Sequence, residues 1–127
     1  MRILIDSSAW IEYLEGSSKG EKVREILSDS NEVFVLTLMI AEVVSKVKRK
    51  GMDVDLAFNA ITKNAKTLEI SQEAAKEAGL LHADMRKKIK DFGLMDALIL
   101  IAARKLKASI LTSDSHFKNF KECIFID

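Results

Sequence analysis

The sequence predicts an α/β fold: a parallel sheet with helices on both faces. Two observations predict it. Short apolar runs rich in strand formers recur along the chain, and between them lie longer segments in which apolar residues return every three or four positions. Strands that alternate with helices imply a parallel sheet whose crossover helices cover both sides. The length agrees, since 127 residues suit one domain, 1–127, with no linker, repeat or low-complexity stretch and no proline. A chain of this size withdraws roughly two-thirds of its unfolded surface from water.

The first strand is RILI, residues 2–5, and it ends at Asp6. A helix starts near Ser8 and carries Trp10, Tyr13 and Leu14. Core packing explains Trp10, and an exposed groove for a partner helix is the alternative. In EKVREILSD, Val23, Ile26 and Leu27 repeat at helical intervals. VFVL at 33–36 is the second strand. From Leu38 to Lys50, LMIAEVVSKVKRK shows an apolar face, then gathers cations before Gly51, as a helix C-terminus does. Asp53 or Asp55 caps the next helix, whose apolar side includes Leu56, Ala57, Ala60 and Ile61. TLEI at 67–70 is the third strand. Ser71 opens a long helix reaching about Lys90, with Ala75, Ala78, Leu81, Met85 and Ile89 along one side. The last strong helix covers about Leu94 to Lys107, followed by the strands SILT at 109–112 and CIFI at 123–126.

Composition excludes several classes. Hydrophobic content of 48% and charged content of 31% describe an ordinary globular protein, and a net charge of +1 requires any nucleic-acid surface to be local. One cysteine, Cys123, excludes an internal disulfide and a cysteine-built zinc site; in CIFI it reads as a buried thiol in a reducing compartment. MRILID turns acidic too soon for a signal peptide, and LMDALILIAA is far shorter than the roughly 20 residues of a membrane span. The expectation is a cytoplasmic protein without a membrane segment.

Four acids stand in unusual company. Asp6 and Asp114 each follow an apolar strand, at the carboxyl end where open α/β sheets bind ligands. Either could instead cap the turn or helix that follows. Glu42 is set among apolar residues in LMIAEVV, with Lys46 as its one evident intrahelical partner. Asp96 lies in LMDALILIAARK, a segment apolar nearly all round, where an unpaired buried carboxylate costs several kcal/mol. A first-turn position gains about 0.3–1 kcal/mol from the helix dipole. If strands one and four are neighbours, all four acids can converge on one crevice, where only a cation would relieve their repulsion. Carboxylate-lined oxygen sites suit Mg²⁺ or Mn²⁺. His82 and His116 have no second histidine or cysteine that makes a transition-metal set, so neither reads as a primary ligand.

IDSSAWIEYL, TLMIAEVVSK, GLMDALILIAARK and ILTSDSHF together, in this order and spacing, resemble the PIN-domain family of metal-dependent ribonucleases, and within it the small VapC-type toxins of toxin–antitoxin pairs. The resemblance spans nearly the whole chain. It implies a three-layer α/β/α fold with a five-stranded parallel sheet ordered 3-2-1-4-5, so that strands one and four touch. It implies that Asp6, Glu42, Asp96 and Asp114 bind the divalent cation, Mg²⁺ or Mn²⁺, and carry catalysis. Ser8 matches the small polar residue two after the first acid, and Thr112 the hydroxyl two before the last; both would hold the carboxylates. Where many relatives have a further acid, this chain has His116, a departure that bears on a second metal position. The resemblance also implies an RNA substrate, a homodimer and a VapB-like protein antitoxin.

Lys46, Lys48, Arg49 and Lys50 form one basic cluster and Arg86, Lys87, Lys88 and Lys90 another. Of these, Lys46, Arg49, Lys87 and Lys88 are the candidate phosphate contacts, with solvated helix ends as the alternative. A stand-alone PIN nuclease of RNA processing or decay would use the same chemistry, and a non-catalytic Mg-binding interaction module would use the same acids. A receiver domain wants an adjacent acid pair after strand one, and a phosphatase an Asp-x-Asp; Ser7 and Ser8 disfavour both.

Overall fold

The computed structural model describes residues 1–29 and 31–127. The elements are β1 (Arg2–Ile5), α1 (Ser7–Glu15), α2 (Ser18–Ser28), β2 (Glu32–Leu36), α3 (Thr37–Arg49), α4 (Val54–Asn64), β3 (Lys66–Leu68), α5 (Gln72–Met85), α6 (Leu94–Leu106), β4 (Ser109–Thr112), a 3₁₀ turn (Ser115–Phe117) and β5 (Cys123–Phe125). All strand pairs are parallel, in the order β3-β2-β1-β4-β5. The expected α/β sheet and its order are therefore both observed.

This order places the crevice. The chain winds outward from β1 through β2 to β3, then crosses back to lay β4 on the other side of β1. Ile3, Leu4 and Ile5 pair with Ser109, Ile110 and Leu111. The amide of Asp6 extends that ladder by donating to the carbonyl of Leu111 at 2.9 Å. The winding reverses between β1 and β4, so their carboxyl ends diverge into the crevice typical of such sheets. Ile3, Leu4 and Ile5 are buried, as a central strand covered on both faces requires.

Local sequence sets the helix ends. Asp53, rather than Asp55, caps α4 by accepting from the amide of Leu56 at 3.1 Å, and Ser71 caps α5 through the amide of Ala74 at 3.1 Å. Gly16, at φ 70°, ends α1 in the left-handed region, and Ser17 starts α2 at once. The two helices then cross closely. A Cβ at Gly20 would lie 2.2 Å from the carbonyl oxygen of Glu12, so a residue without a side chain is required there. Trp10 is fully buried, which assigns it to the core.

Of the boundaries that differ from expectation, two have a clear physical reason. The helix expected to reach Lys90 stops at Met85, and residues 86–91 form turns. Four cations within Arg86–Lys90 repel one another on any helical continuation. The bend also delivers Phe92, fully buried, to the core. Along α5, Ala74 and Ala78 are buried whereas Ala75 is exposed. β3 ends at Leu68 instead of residue 70 because its neighbour β2 runs out: Leu36 pairs with Leu68, and α3 begins at Thr37. Cys123 is half-buried rather than buried, and packing raises its thiol to a pKa of about 12. Among the described residues no helix is long and apolar enough to cross a membrane.

Candidate functional site

Asp6 is the deepest of the four acids, 4% exposed. Its Oδ1 accepts from the amide of Ser7 at 2.7 Å and so caps α1. Its Oδ2 accepts from Thr112 Oγ1 at 2.7 Å and from Ser8 Oγ at 3.0 Å. These two hydroxyls lie 3.3 Å apart, and each also takes a backbone amide: Asp114 N donates to Thr112 Oγ1 at 3.0 Å, and Ser113 N to Ser8 Oγ at 3.1 Å. A small polar network thus stitches the end of β1 to the end of β4. Ser8 and Thr112, the two hydroxyls that the family resemblance singled out, both contact the first carboxylate.

Asp96 occupies the first turn of α6, with its side chain 16% exposed. Its Oδ2 reaches back to accept from the amide of Gly93 at 2.8 Å, which stands in for a side-chain cap that glycine cannot supply. Asp114 caps the 3₁₀ turn, accepting from the amide of His116 at 2.9 Å. The capping expectation is therefore met at Asp6, Asp96 and Asp114. Each uses a carboxylate oxygen on the backbone while facing the crevice.

Glu42 projects from the second turn of α3. Its Oε1 accepts from Ser7 Oγ and lies 4.0 Å from Lys46 Nζ. Ser7 is buried and carries a functional contact that the sequence reading missed. The signal was weak but present: two hydroxyls follow Asp6, and one of them had no assigned partner. His116 is the larger surprise. Its Nδ1 lies 3.5 Å from Asp114 Oδ1 and 3.8 Å from Asp96 Oδ2. Donor atoms of Asp96, Asp114 and His116 lie within 4.8 Å of one another, so a residue set aside in the sequence is drawn into the cluster.

Electrostatics follow from this crowding. Burial raises the pKa of Asp6; hydrogen bonds from Thr112, Ser8 and Ser7 oppose the rise, and the charge of Asp114 adds to it. Burial likewise raises Asp96; the Gly93 amide and His116 oppose it, while Asp114 and Glu42 add to it. All four acids are thus electrical neighbours. Among the described residues, the basic side chains within 4.0 Å of them are Lys46, beside Glu42, and His116. No lysine or arginine pairs with Asp6, Asp96 or Asp114 in that set. A pocket of carboxylate oxygens, two of its acids raised by burial and little positive charge beside them, fits a hard divalent cation.

The basic candidates sit farther out. Lys46 touches the site through Glu42, and Arg49 donates from Nε to the carbonyl of Ser45 at 3.3 Å on the same helix. Lys87 and Lys88 are exposed on the turns that lead into α6, with Lys87 4.0 Å from Asp84.

Sheet order and strand-end acids together define an α/β protein with an acidic crevice across the reversal of its winding. The PIN domain model matches residues 3–122, and the chain belongs to the PIN domain family. Solved structures share the fold. A toxin–antitoxin complex from Klebsiella pneumoniae superposes with a TM-score of 0.75 at 17% identity, covering 98% of each chain. VapBC2 of Rickettsia felis, solved bound to a DNA fragment from its promoter, gives 0.73 at 20% identity over 98% of this chain and 97% of that one. VapC20 of Mycobacterium tuberculosis, a toxin cleaving the sarcin–ricin loop, gives 0.73 at 16% identity over 91% and 92%. No curated protein matches the chain in sequence.

Proposed function

We propose that this chain is a cytoplasmic, divalent-metal-dependent ribonuclease that hydrolyses RNA phosphodiester bonds and serves as the toxin of a toxin–antitoxin pair. One observation carries the reading: in a PIN fold, Asp6, Glu42, Asp96 and Asp114 gather at one crevice, where burial and neighbouring carboxylates raise the pKa values of Asp6 and Asp96. Asp6, Asp96 and Asp114 would hold Mg²⁺ or Mn²⁺. When bound, the cation supplies Lewis acidity toward water and toward the scissile phosphate.

The chain's own residues supply the rest. Ser8 and Thr112 fix the rotamer of Asp6, and the amide of Gly93 fixes that of Asp96, so the carboxylates are held before any ligand arrives. Ser7 orients Glu42, whose second oxygen is left to position the attacking water and accept its proton. Lys46, Arg49, Lys87 and Lys88 would grip the RNA backbone at the rim. A homodimer and a VapB-like antitoxin complete the reading; structural neighbours solved as toxin–antitoxin complexes support the partner and favour a toxin over a stand-alone nuclease.

The test is cleavage of labelled structured and unstructured RNA with Mn²⁺ or Mg²⁺, beside chelator and Asp96→Asn controls. Cleavage lost in both controls is expected. Cleavage that survives Asp96→Asn in a clean preparation refutes the site, and folded, antitoxin-free protein that binds the cation without cutting either RNA favours a binding module.

A further inference from the structure

The 3₁₀ turn after β4 does more than close a loop. Phe117 is fully buried and anchors it, and the amide of His116 is tied to Asp114 Oδ1. Backbone and anchor together swing the imidazole of His116 over the crevice instead of out to solvent. Resting on the metal-site reading above, we propose that His116 is itself a ligand: its Nδ1 joins Asp96 and Asp114 and biases the centre toward Mn²⁺ and later first-row divalent cations over Mg²⁺.

Geometry supports a ligand over a simple counter-charge. Two donors bound at about 2.1 Å to one ion lie roughly 3.0 Å apart when adjacent and roughly 4.2 Å apart when opposite. Nδ1 stands 3.5 Å from Asp114 Oδ1 and 3.8 Å from Asp96 Oδ2, within that span on both sides. An imidazolium present only to neutralise charge would close to about 2.7–2.9 Å on one oxygen. Here the ring is hydrogen-bonded to neither carboxylate, and its nitrogen stands at separations from both that two donors to a shared ion would have.

Chemistry gives the consequence. Mg²⁺ demands near-octahedral oxygen coordination and gives up its waters reluctantly. Imidazole nitrogen is softer and suits later first-row ions, whose affinities rise along the series from Mn²⁺. A nitrogen in place of an oxygen therefore weakens Mg²⁺ relative to Mn²⁺. His82 contributes nothing here, since it stacks on Phe92 at 6.4 Å between ring centroids.

The experiment needs no turnover. Metal-free full-length chain is titrated calorimetrically with MnCl₂ and with MgCl₂, as wild type and as His116→Asp, and the Mn²⁺ complex is read by pulsed EPR for coupling to a directly bound ¹⁴N. Wild type is expected to favour Mn²⁺ and to show nitrogen coupling. His116→Asp is expected to lose the coupling and to lower the Mn²⁺/Mg²⁺ affinity ratio by about tenfold, in the range that ligand-shell changes produce. A wild-type Mn²⁺ complex without nitrogen coupling, or an unchanged ratio in the variant, overturns the ligand role and leaves the carboxylate centre standing. If neither ion binds wild type, the inference falls and the metal-site reading falls with it. The EPR result is read on wild type, so it stands even if the variant folds poorly.

Discussion

At Asp96 one side chain is asked for two incompatible things. Its oxygen holds the Gly93 amide at the start of α6, and its charge sits beside Asp114 and Glu42. Asparagine separates these demands because it keeps an acceptor oxygen and loses the charge. A carboxyl whose folded-state pKa is raised binds protons more tightly folded than unfolded. Its contribution is then fully present at low pH and is lost as pH rises from the ordinary carboxylate range through the raised value. In chelator, Asp96→Asn should match wild type near pH 4 and become progressively more stable than it toward pH 7, as followed by thermal melts across that range. A gap that closed with rising pH would mean that the acids are compensated. Asp96→Ala, which also loses the acceptor, should be about 1 kcal/mol less stable than Asp96→Asn.

Between elements, α1 and α2 cross closely, and glycine separates packing from propensity there. Gly20→Ala gains about 0.5–1 kcal/mol of helix propensity but drives a Cβ into the backbone carbonyl of Glu12, an overlap that no rotamer relieves. A net loss of about 2 kcal/mol is expected from overpacking of this kind. Gly79→Ala in the interior of α5 meets nothing within 4 Å and should instead stabilise by about 0.5–1 kcal/mol. Urea titration of the two variants side by side checks both signs. The same scale shows why sequence reading succeeded in places and failed in others. Caps at Asp53 and Ser71 were legible because the interaction spans only three residues. The end of β3 was not, because it depends on where β2 stops being a strand. The end of α5 depends on Phe92 finding the core, which no local pattern announces.

For the molecule as a whole, a cation that binds only the folded crevice must raise stability. At a free concentration a hundredfold above Kd the gain is about 2.7 kcal/mol. Melting temperature should rise with added Mn²⁺ for wild type and remain flat for Asp96→Asn. A flat wild-type curve would count against a cation in the crevice. The four acids were legible because each broke a local rule, an acid at a strand end or inside an apolar helix. Ser7 against Glu42 and His116 against Asp96 were not, because those contacts exist only once distant segments meet. The pairing of β1 with β4 has one more consequence. Asp6 receives its partner Thr112 from residues made about a hundred positions later. At a synthesis rate of roughly 5–20 residues per second, the ribosome carries the first acid for roughly 5–20 seconds before the last one exists. The crevice therefore cannot assemble on the emerging chain until that interval has passed.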